Sequence, residues 1–294
     1  MTRITRTLLT AAVSAVLLTT SAAAVSAAPL PEVGRYVALG DSYTSGPLIP
    51  AQRWDPLGCG RSTNNYPSFV ARALDPAKFT DISCGGAKTA NMVSPQQVQF
   101  GGVNPAQFSA LRENTDLVTL GIGGNDSDVF ATLVGTCPGL RASDPHGNPC
   151  QRKYSPDGVD TMKAAVARTG DDVVTVLRGV HQRSPHAKVL VVGYPRIAPP
   201  SGYCPDVLPF ADGDYAWLNS VEEALNAALA RAVTTDGGSV YVDTYTPSLG
   251  HDACARGGAA WINGQYTNLF AALNYHPFRN GMEGIANVVL KHLK

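Results

Sequence analysis

The stretch RYVALGDSYTSG, Arg35 to Gly46, opens with an apolar run, Arg35 to Leu39, that reads as a short buried strand and stops abruptly at Gly40. Ser42 follows two residues later. In open parallel sheets ligands lie beyond the carboxyl ends of the strands, which places this serine on a turn at the rim of a sheet rather than in a core. Gly, Asp and Ser are also the common residues of turns, so a G-D-S-x segment alone is equally an ordinary polar connection. The rest of the chain decides between the two.

Four further apolar runs follow: Phe79 to Ser83, Asp116 to Ile122, Lys188 to Gly193 and Ser239 to Asp243. Between them lie segments with helical spacing. Tyr66 to Leu74 has a proline near its start, Val129 to Val134 starts another helix, and Ala106 to Leu111 is a weak helical turn. Asp157 to Ser184 carries an apolar stripe that Gly170 is placed to break, Asp212 to Thr234 is a strong helix, and Asn280 to Leu293 closes the chain. Thr44 to Asn65 reads as a functional or disulfide-pinned loop, Cys137 to Cys150 as an irregular excursion, and Tyr194 to Pro209 as a proline-rich loop. Short apolar runs alternating with helices predict one α/β domain: a five-stranded parallel sheet covered on both faces. No repeat, linker or composition break marks a second domain.

Residues 1–28 stand apart. Arg3 and Arg6 precede an uncharged apolar run from Leu8 to about Val25, and Ser26, Ala27 and Ala28 make an A-x-A-like end. This is the layout of a secretory signal peptide cleaved near Ala27 or Ala28, leaving residues 29–294 as a secreted, extracellular domain. No later run approaches the ~18 apolar residues of a membrane helix, so stable membrane insertion is not expected. Without Arg3 and Arg6, 21 basic residues face 23 acidic ones, a net charge of −2 with no basic run. Nucleic acid is therefore not an expected partner. The six cysteines, Cys59, Cys84, Cys137, Cys150, Cys204 and Cys254, form no C-x-x-C pair, and in an exported chain they point to three disulfides rather than zinc. Sequence allows about 15 pairings; stapling in chain order, Cys59 with Cys84, Cys137 with Cys150 and Cys204 with Cys254, is the expectation.

Acyl-transfer chemistry needs a nucleophilic oxygen, a base for its proton, and donors aimed at the oxygen that becomes negative. The first three strand ends supply Ser42, Gly86 and Asn125, and His276 lies in a loop before the last helix, followed by Pro277. The other histidines read as surface or loop residues.

These four pieces, Gly40-Asp41-Ser42-Tyr43, Cys84-Gly85-Gly86-Ala87, Gly123-Gly124-Asn125-Asp126 and His276-Pro277, resemble the blocks of the SGNH, or GDSL-type, hydrolase family. The similarity runs from Arg35 to the C-terminal helix and looks closest to secreted actinobacterial lipases and esterases with three disulfides. It implies a flavodoxin-like three-layer α/β/α domain and a monomeric serine esterase or lipase without cofactor or metal, acting on ester or lipid substrates through an acyl-enzyme. Ser42 is then the nucleophile and His276 the general base. The oxyanion donors are the Ser42 and Gly86 backbone N–H groups and the Asn125 amide.

Many family members place an aspartate three residues before the histidine; here the position is Leu273. An aspartate there would hold the imidazole tautomer, and the backbone carbonyl of Leu273 is the expected substitute, with Asp243 or Asp252 from another loop as the competing support. Asp41 reads as a turn-stabilising carboxylate, and Trp54, Trp217 and Trp261 as packing residues, with Trp54 the best placed to meet substrate. The apolar C-terminal half of the disulfide-rich loops favours acylglycerol or other lipid esters. The alternatives are a short-chain carbohydrate acetyl esterase and a catalytically silent extracellular module that binds glycan or lipid.

Overall fold

The structure, a computed structural model, describes residues 29–294 together with residue 2; the expected cleavage site at Ala27 or Ala28 lies outside the described residues. Five strands, β1 (Arg35–Gly40), β2 (Lys78–Asp81), β3 (Leu117–Gly121), β4 (Lys188–Val192) and β5 (Ser239–Val242), pair in parallel in the spatial order β2-β1-β3-β4-β5. The chain moves outward from β1 to β2, then returns to place β3 on the other side of β1. That reversal leaves a crevice beyond the ends of β1 and β3, where such sheets bind ligands.

Successive side chains of a strand point to opposite faces, and β1 buries both. Tyr36 and Ala38 pack with α2 (Tyr66–Leu74) and α7 (Arg279–Lys291) through Val70, Ile285 and Val289. Val37 and Leu39 join the opposite layer with α5 (Thr161–Arg183) and α6 (Asp214–Asp236) through Val173, Leu177 and Leu229. The expected three-layer architecture is therefore present, with a sheet too apolar to tolerate water on either side.

Two local expectations change. Gly170 does not interrupt α5, which is one helix of 23 residues. A Cβ at Gly170 would lie 3.3 Å from the Cβ of Ala228, so this glycine serves the close approach of α5 and α6. The segment between Cys137 and Cys150 is also more regular than its prolines suggest. Helix α3 (Val129–Leu140) runs through Cys137 and Pro138, and α4 (Pro149–Tyr154) begins just before Cys150. Pro138 sits near the C-terminal end of α3, so the backbone bond it forfeits is one of the last in the helix.

The disulfides join Cys59 to Cys84, Cys137 to Cys150 and Cys204 to Cys254, the pairing in chain order. The first ties the long loop after β1 to the turn after β2. Arg61 reinforces that tie from inside, donating to the Ser83 carbonyl at 3.0 Å and to Asn104 Oδ1 at 3.1 Å.

The Cys204–Cys254 bridge spans 50 residues, the longest closure of the three. Replacing both cysteines by serine is expected to cost about 4 kcal/mol by loop-closure entropy and to lower the melting temperature by roughly 10 °C. Calorimetry on the double variant against the parent checks this; an unchanged melting temperature would show that the bridge adds nothing.

Candidate active site

At the end of β1, a Cβ at Gly40 would fall 2.2 Å from Thr44 Oγ1 and 2.5 Å from the Gly121 carbonyl oxygen, so only glycine permits the turn that follows. The side-chain amide of Gln107 clamps this residue at both ends: its oxygen accepts the Gly40 N–H at 2.8 Å and its nitrogen donates to the Gly40 carbonyl at 2.9 Å. Asp41 then caps the short helix α1 (Ser42–Ser45), accepting the Tyr43 N–H at 2.9 Å. Its second oxygen accepts the Tyr194 O–H, and the Tyr194 oxygen accepts the Gly124 N–H at 2.9 Å. The turn-stabilising role expected for Asp41 is thus larger than a local cap. It joins the chain ends of β1, β3 and β4. Burial pushes its carboxyl up to about 7, against the pull of its bonds to Tyr194 and Tyr43.

His276 Nε2 lies 2.8 Å from Ser42 Oγ, across 234 residues of sequence. The imidazole packs against the rings of Tyr43 and Phe130, with centroids 5.4 and 5.6 Å away. Its Nδ1 lies 2.7 Å from the backbone carbonyl oxygen of Asn274. This corrects the assignment to Leu273. The Leu273 carbonyl is already engaged by the His276 N–H at 3.2 Å, closing the turn, and by Asn263 Nδ2 at 3.2 Å. With Tyr275 in the left-handed region at φ 57°, the turn presents the Asn274 oxygen instead. That conformation is unfavourable for tyrosine; the Tyr43 O–H, donated to the Tyr275 carbonyl at 2.6 Å, and the Tyr275 N–H, donated to Gly264, hold it. Neither competing aspartate takes part: Asp243 accepts the Tyr245 and Thr246 N–H groups, and Asp252 the Cys254 N–H. The carbonyl accepts an Nδ1–H, which leaves Nε2 bare and facing the serine hydroxyl. Burial pulls the imidazole down from 6.5 to about 4, the Asn274 carbonyl opposing it.

The loops after β2 and β3 meet beside this pair. The Cys84 N–H donates to the Gly40 carbonyl at 3.0 Å, which sets the turn of residues 84–87 against the serine turn. Gly86 has φ 73°, a conformation suited to glycine, and its N–H has no acceptor among the described residues. The Ser42 N–H is also without one. Asn125 Nδ2 donates to the Ala87 carbonyl at 3.1 Å, which orients the amide and leaves its second hydrogen unspent. Thr89 binds Asp126 through its N–H and hydroxyl, joining the same two loops. A hydroxyl beside a bare imidazole nitrogen, flanked by unspent donors, is an arrangement suited to acyl transfer.

From Ser42 a cavity of about 770 Å³, its open mouth included, runs between the helices of one layer. Val129, Phe130 and Leu133 of α3 and Leu218, Val221 and Leu225 of α6 give it apolar walls. Neither Trp54, largely exposed, nor Trp217, whose Nε1 donates to Asp160, lines it. Phe130, Tyr194 and the α6 wall escaped the sequence reading, since nothing in an apolar helix face distinguishes a pocket wall from packing.

The sequence model of the GDSL-like Lipase/Acylhydrolase family matches residues 38–283. Lipase 2 of Streptomyces coelicolor is 40% identical over 234 residues, 77% of this chain and 75% of the relative. Among solved structures, phospholipase A1 from Streptomyces albidoflavus aligns with a TM-score of 0.69 at 28% identity, covering 88% of this chain and 98% of that one. The extracellular lipase of Streptomyces rimosus aligns with a TM-score of 0.67 at 27% identity, covering 87% and 98%.

Two outcomes are expected of this geometry. Tyr194→Phe leaves a buried Asp41 oxygen and the Gly124 N–H without partners, and should destabilise the fold by about 2–4 kcal/mol in chemical denaturation. His276, followed by NMR, should stay neutral well below pH 6.5, titrating toward about 4. Between those values the unfolded chain binds more protons than the folded one, so this histidine's contribution to stability falls as pH is lowered through that window. A midpoint at or above 6.5 would refute the buried, carbonyl-supported ring.

Proposed function

This chain belongs to the GDSL-like lipase/acylhydrolase family, and from that membership we propose that it is a secreted serine esterase hydrolysing lipid esters through an acyl-enzyme on Ser42. The observation that carries the reading is the 2.8 Å approach of His276 Nε2 to Ser42 Oγ at the mouth of an apolar cavity. Ser42 Oγ attacks the ester carbonyl as His276 Nε2 takes its proton. The carbonyl oxygen, now negative, accepts hydrogen bonds from the Ser42 and Gly86 N–H groups and from Asn125 Nδ2. His276 returns the proton to the departing alcohol. It then activates a water that releases the acid and frees the serine.

The Asn274 carbonyl fixes the tautomer and takes part of the charge on the imidazolium that forms. It carries no full negative charge, so the base depends on this positioning and on the packing of Tyr43 and Phe130. A ring whose ordinary state is neutral is ready to accept a proton at neutral pH.

The cavity supports an acyl chain of some length. Its walls are apolar along two helices, with Val129, Phe130 and Leu133 on α3 and Leu218, Val221 and Leu225 on α6, a surface that suits a hydrocarbon chain better than a sugar. This favours acylglycerols or other lipid esters over acetylated sugars.

Hydrolysis of p-nitrophenyl esters of increasing chain length, by the oxidised protein and by Ser42→Ala, tests the reading. Activity should vanish in Ser42→Ala, along with labelling by a fluorophosphonate. Asn125→Ala, which loses one oxyanion donor, should remain folded with turnover reduced about 100- to 1,000-fold. Near-normal turnover in that variant would remove Asn125 from the mechanism. A folded protein that neither turns over nor takes the label would be a binding module.

A further inference from the structure

Tyr266, Leu269 and Phe270, in the loop that carries His276, are 74, 68 and 85% exposed. A single exposed leucine is ordinary on a protein surface, whereas large apolar side chains gathered on one tip call for a partner. The backbone holds the tip in place. Asn268 and Ala272 exchange both N–H···O bonds, at 2.9 and 3.0 Å, which leaves Leu269 and Phe270 at the turn between them. Asn268 Oδ1 accepts the Phe270 N–H at 3.0 Å, and the Thr267 hydroxyl donates to Asn274 Oδ1 at 3.2 Å across the base. At the root, the Leu273 N–H donates to the Pro47 carbonyl, and the Gln265 N–H to the Val207 carbonyl at 2.9 Å. The second of these neighbours leads on to Phe210, which lines the cavity at Ser42 and stacks on Tyr275. The tip therefore stands on the same base as the catalytic histidine and one part of the cavity wall.

Charge supplies a second observation. From Gly257 to Phe278 the chain holds no Asp, Glu, Lys or Arg, so pressing this loop into an apolar phase strips water from no ion. Residues 29–294 carry 21 basic against 23 acidic residues with no basic run, so nothing draws the protein to an anionic surface. We propose that this tip docks the enzyme on an uncharged lipid surface, Leu269, Phe270 and Tyr266 entering the lipid beside the cavity that takes up the ester. Tyrosine suits the boundary of such a surface, with an apolar ring and a hydroxyl left to water. A second copy of this chain is the competing occupant, and the area is too small for it. At about 200 Å² for each aromatic side chain, the tip falls well below the about 800 Å² per partner of a stable protein interface. A lipid surface needs no complementary shape, because binding to it scales with the apolar area buried. The proposal deepens the reading above and rests on it for the lipid nature of the substrate.

The test is flotation with vesicles of ether-linked phosphatidylcholine, which offer the enzyme no ester to consume. The wild type should bind, and the Leu269→Ser/Phe270→Ser double variant should bind at least about tenfold more weakly, from the transfer of two apolar side chains out of water. Raising the salt concentration should leave the wild-type affinity unchanged. For p-nitrophenyl butyrate, a soluble ester that meets the site without a surface, the double variant should match the wild type in kcat/KM. No vesicle binding by the wild type, or equal binding by the double variant, overturns the proposal while hydrolysis of the soluble ester leaves the esterase reading intact. Binding that salt abolishes also overturns it, since charge then carries the attachment. If no ester is hydrolysed, the esterase reading fails by itself and flotation still decides the docking surface. A wild type that sediments as a dimer, with the double variant a monomer, assigns the tip to a second copy and overturns the proposal. Should the double variant lose activity on the soluble ester, Phe270→Ser alone carries the comparison: weaker flotation with that activity kept supports the assignment, and unchanged flotation overturns it.

Discussion

The carboxylate of Asp41 is the constraint from which the rest of the site hangs. One oxygen caps the turn that presents Ser42, and the other accepts the Tyr194 hydroxyl, which in turn accepts the Gly124 N–H just before Asn125. Three loops from the ends of β1, β3 and β4 therefore share one buried polar cluster. A carboxyl group away from water is tolerated only with its hydrogen bonds made, so the cluster is satisfied in one arrangement of the loops and penalised in others. Gln107 does the same for the residue before, gripping both backbone groups of Gly40. The geometry at the serine is set by burial without escape rather than by any single strong bond.

The histidine is held by different means. Its support is a neutral carbonyl, and the loop that carries it contains no Asp, Glu, Lys or Arg between Gly257 and Phe278. Orientation comes from interlocking backbone bonds: Leu273 N–H to Pro47, Tyr275 N–H to Gly264, and Asn263 N–H to the His276 carbonyl. Asn263 Nδ2 adds bonds to the carbonyls of Tyr266, Ala272 and Leu273. Where a carboxylate would supply both orientation and charge, this loop supplies orientation alone. The ring's neutral state is correspondingly favoured by its dry surroundings.

Much of this was legible in the sequence, for reasons particular residues make plain. The sheet could be read because β3 and β4 are buried on both faces and so are written as mostly apolar runs, Thr119 being the one polar residue inside β3, and because glycines lie close after the strands that feed the site. Ser42 and His276 could be read because each is a reactive type at the edge of a regular element. Asn274 could not be distinguished from Leu273, since every residue offers a carbonyl and the left-handed φ of Tyr275 selects between them. Tyr194 and Gln107 act through contacts across 153 and 67 residues of sequence that no local pattern encodes. The stretch from Cys137 to Cys150 is ordered by the cross-link expected there, but its prolines and glycines hide how far α3 and α4 extend into it.

The disulfides also bear on chemistry as well as on stability. The cavity that opens at Ser42 is walled by α3, α6 and the loop after β4 with Ile197, and two of the three bridges act there. Cys137–Cys150 fastens the end of α3 to α4. Cys204–Cys254 fastens the β4 loop to the segment whose Ala253 N–H donates to the Ile197 carbonyl at 3.0 Å. The Ile197 N–H in turn donates to Glu222 Oε2 on α6 at 3.1 Å, which ties this loop to the helix. The α6 side of the cavity belongs to the core layer on the sheet through Leu218 and Val221, whereas the loop after β4 that carries Ile197 is held by the Cys204–Cys254 bridge and by its bond to Ala253. The bridges therefore bear on the geometry of the cavity as well as on stability: one side of it is fixed by the packing of α6 on the sheet, and the other by loops that cross-links fasten in place.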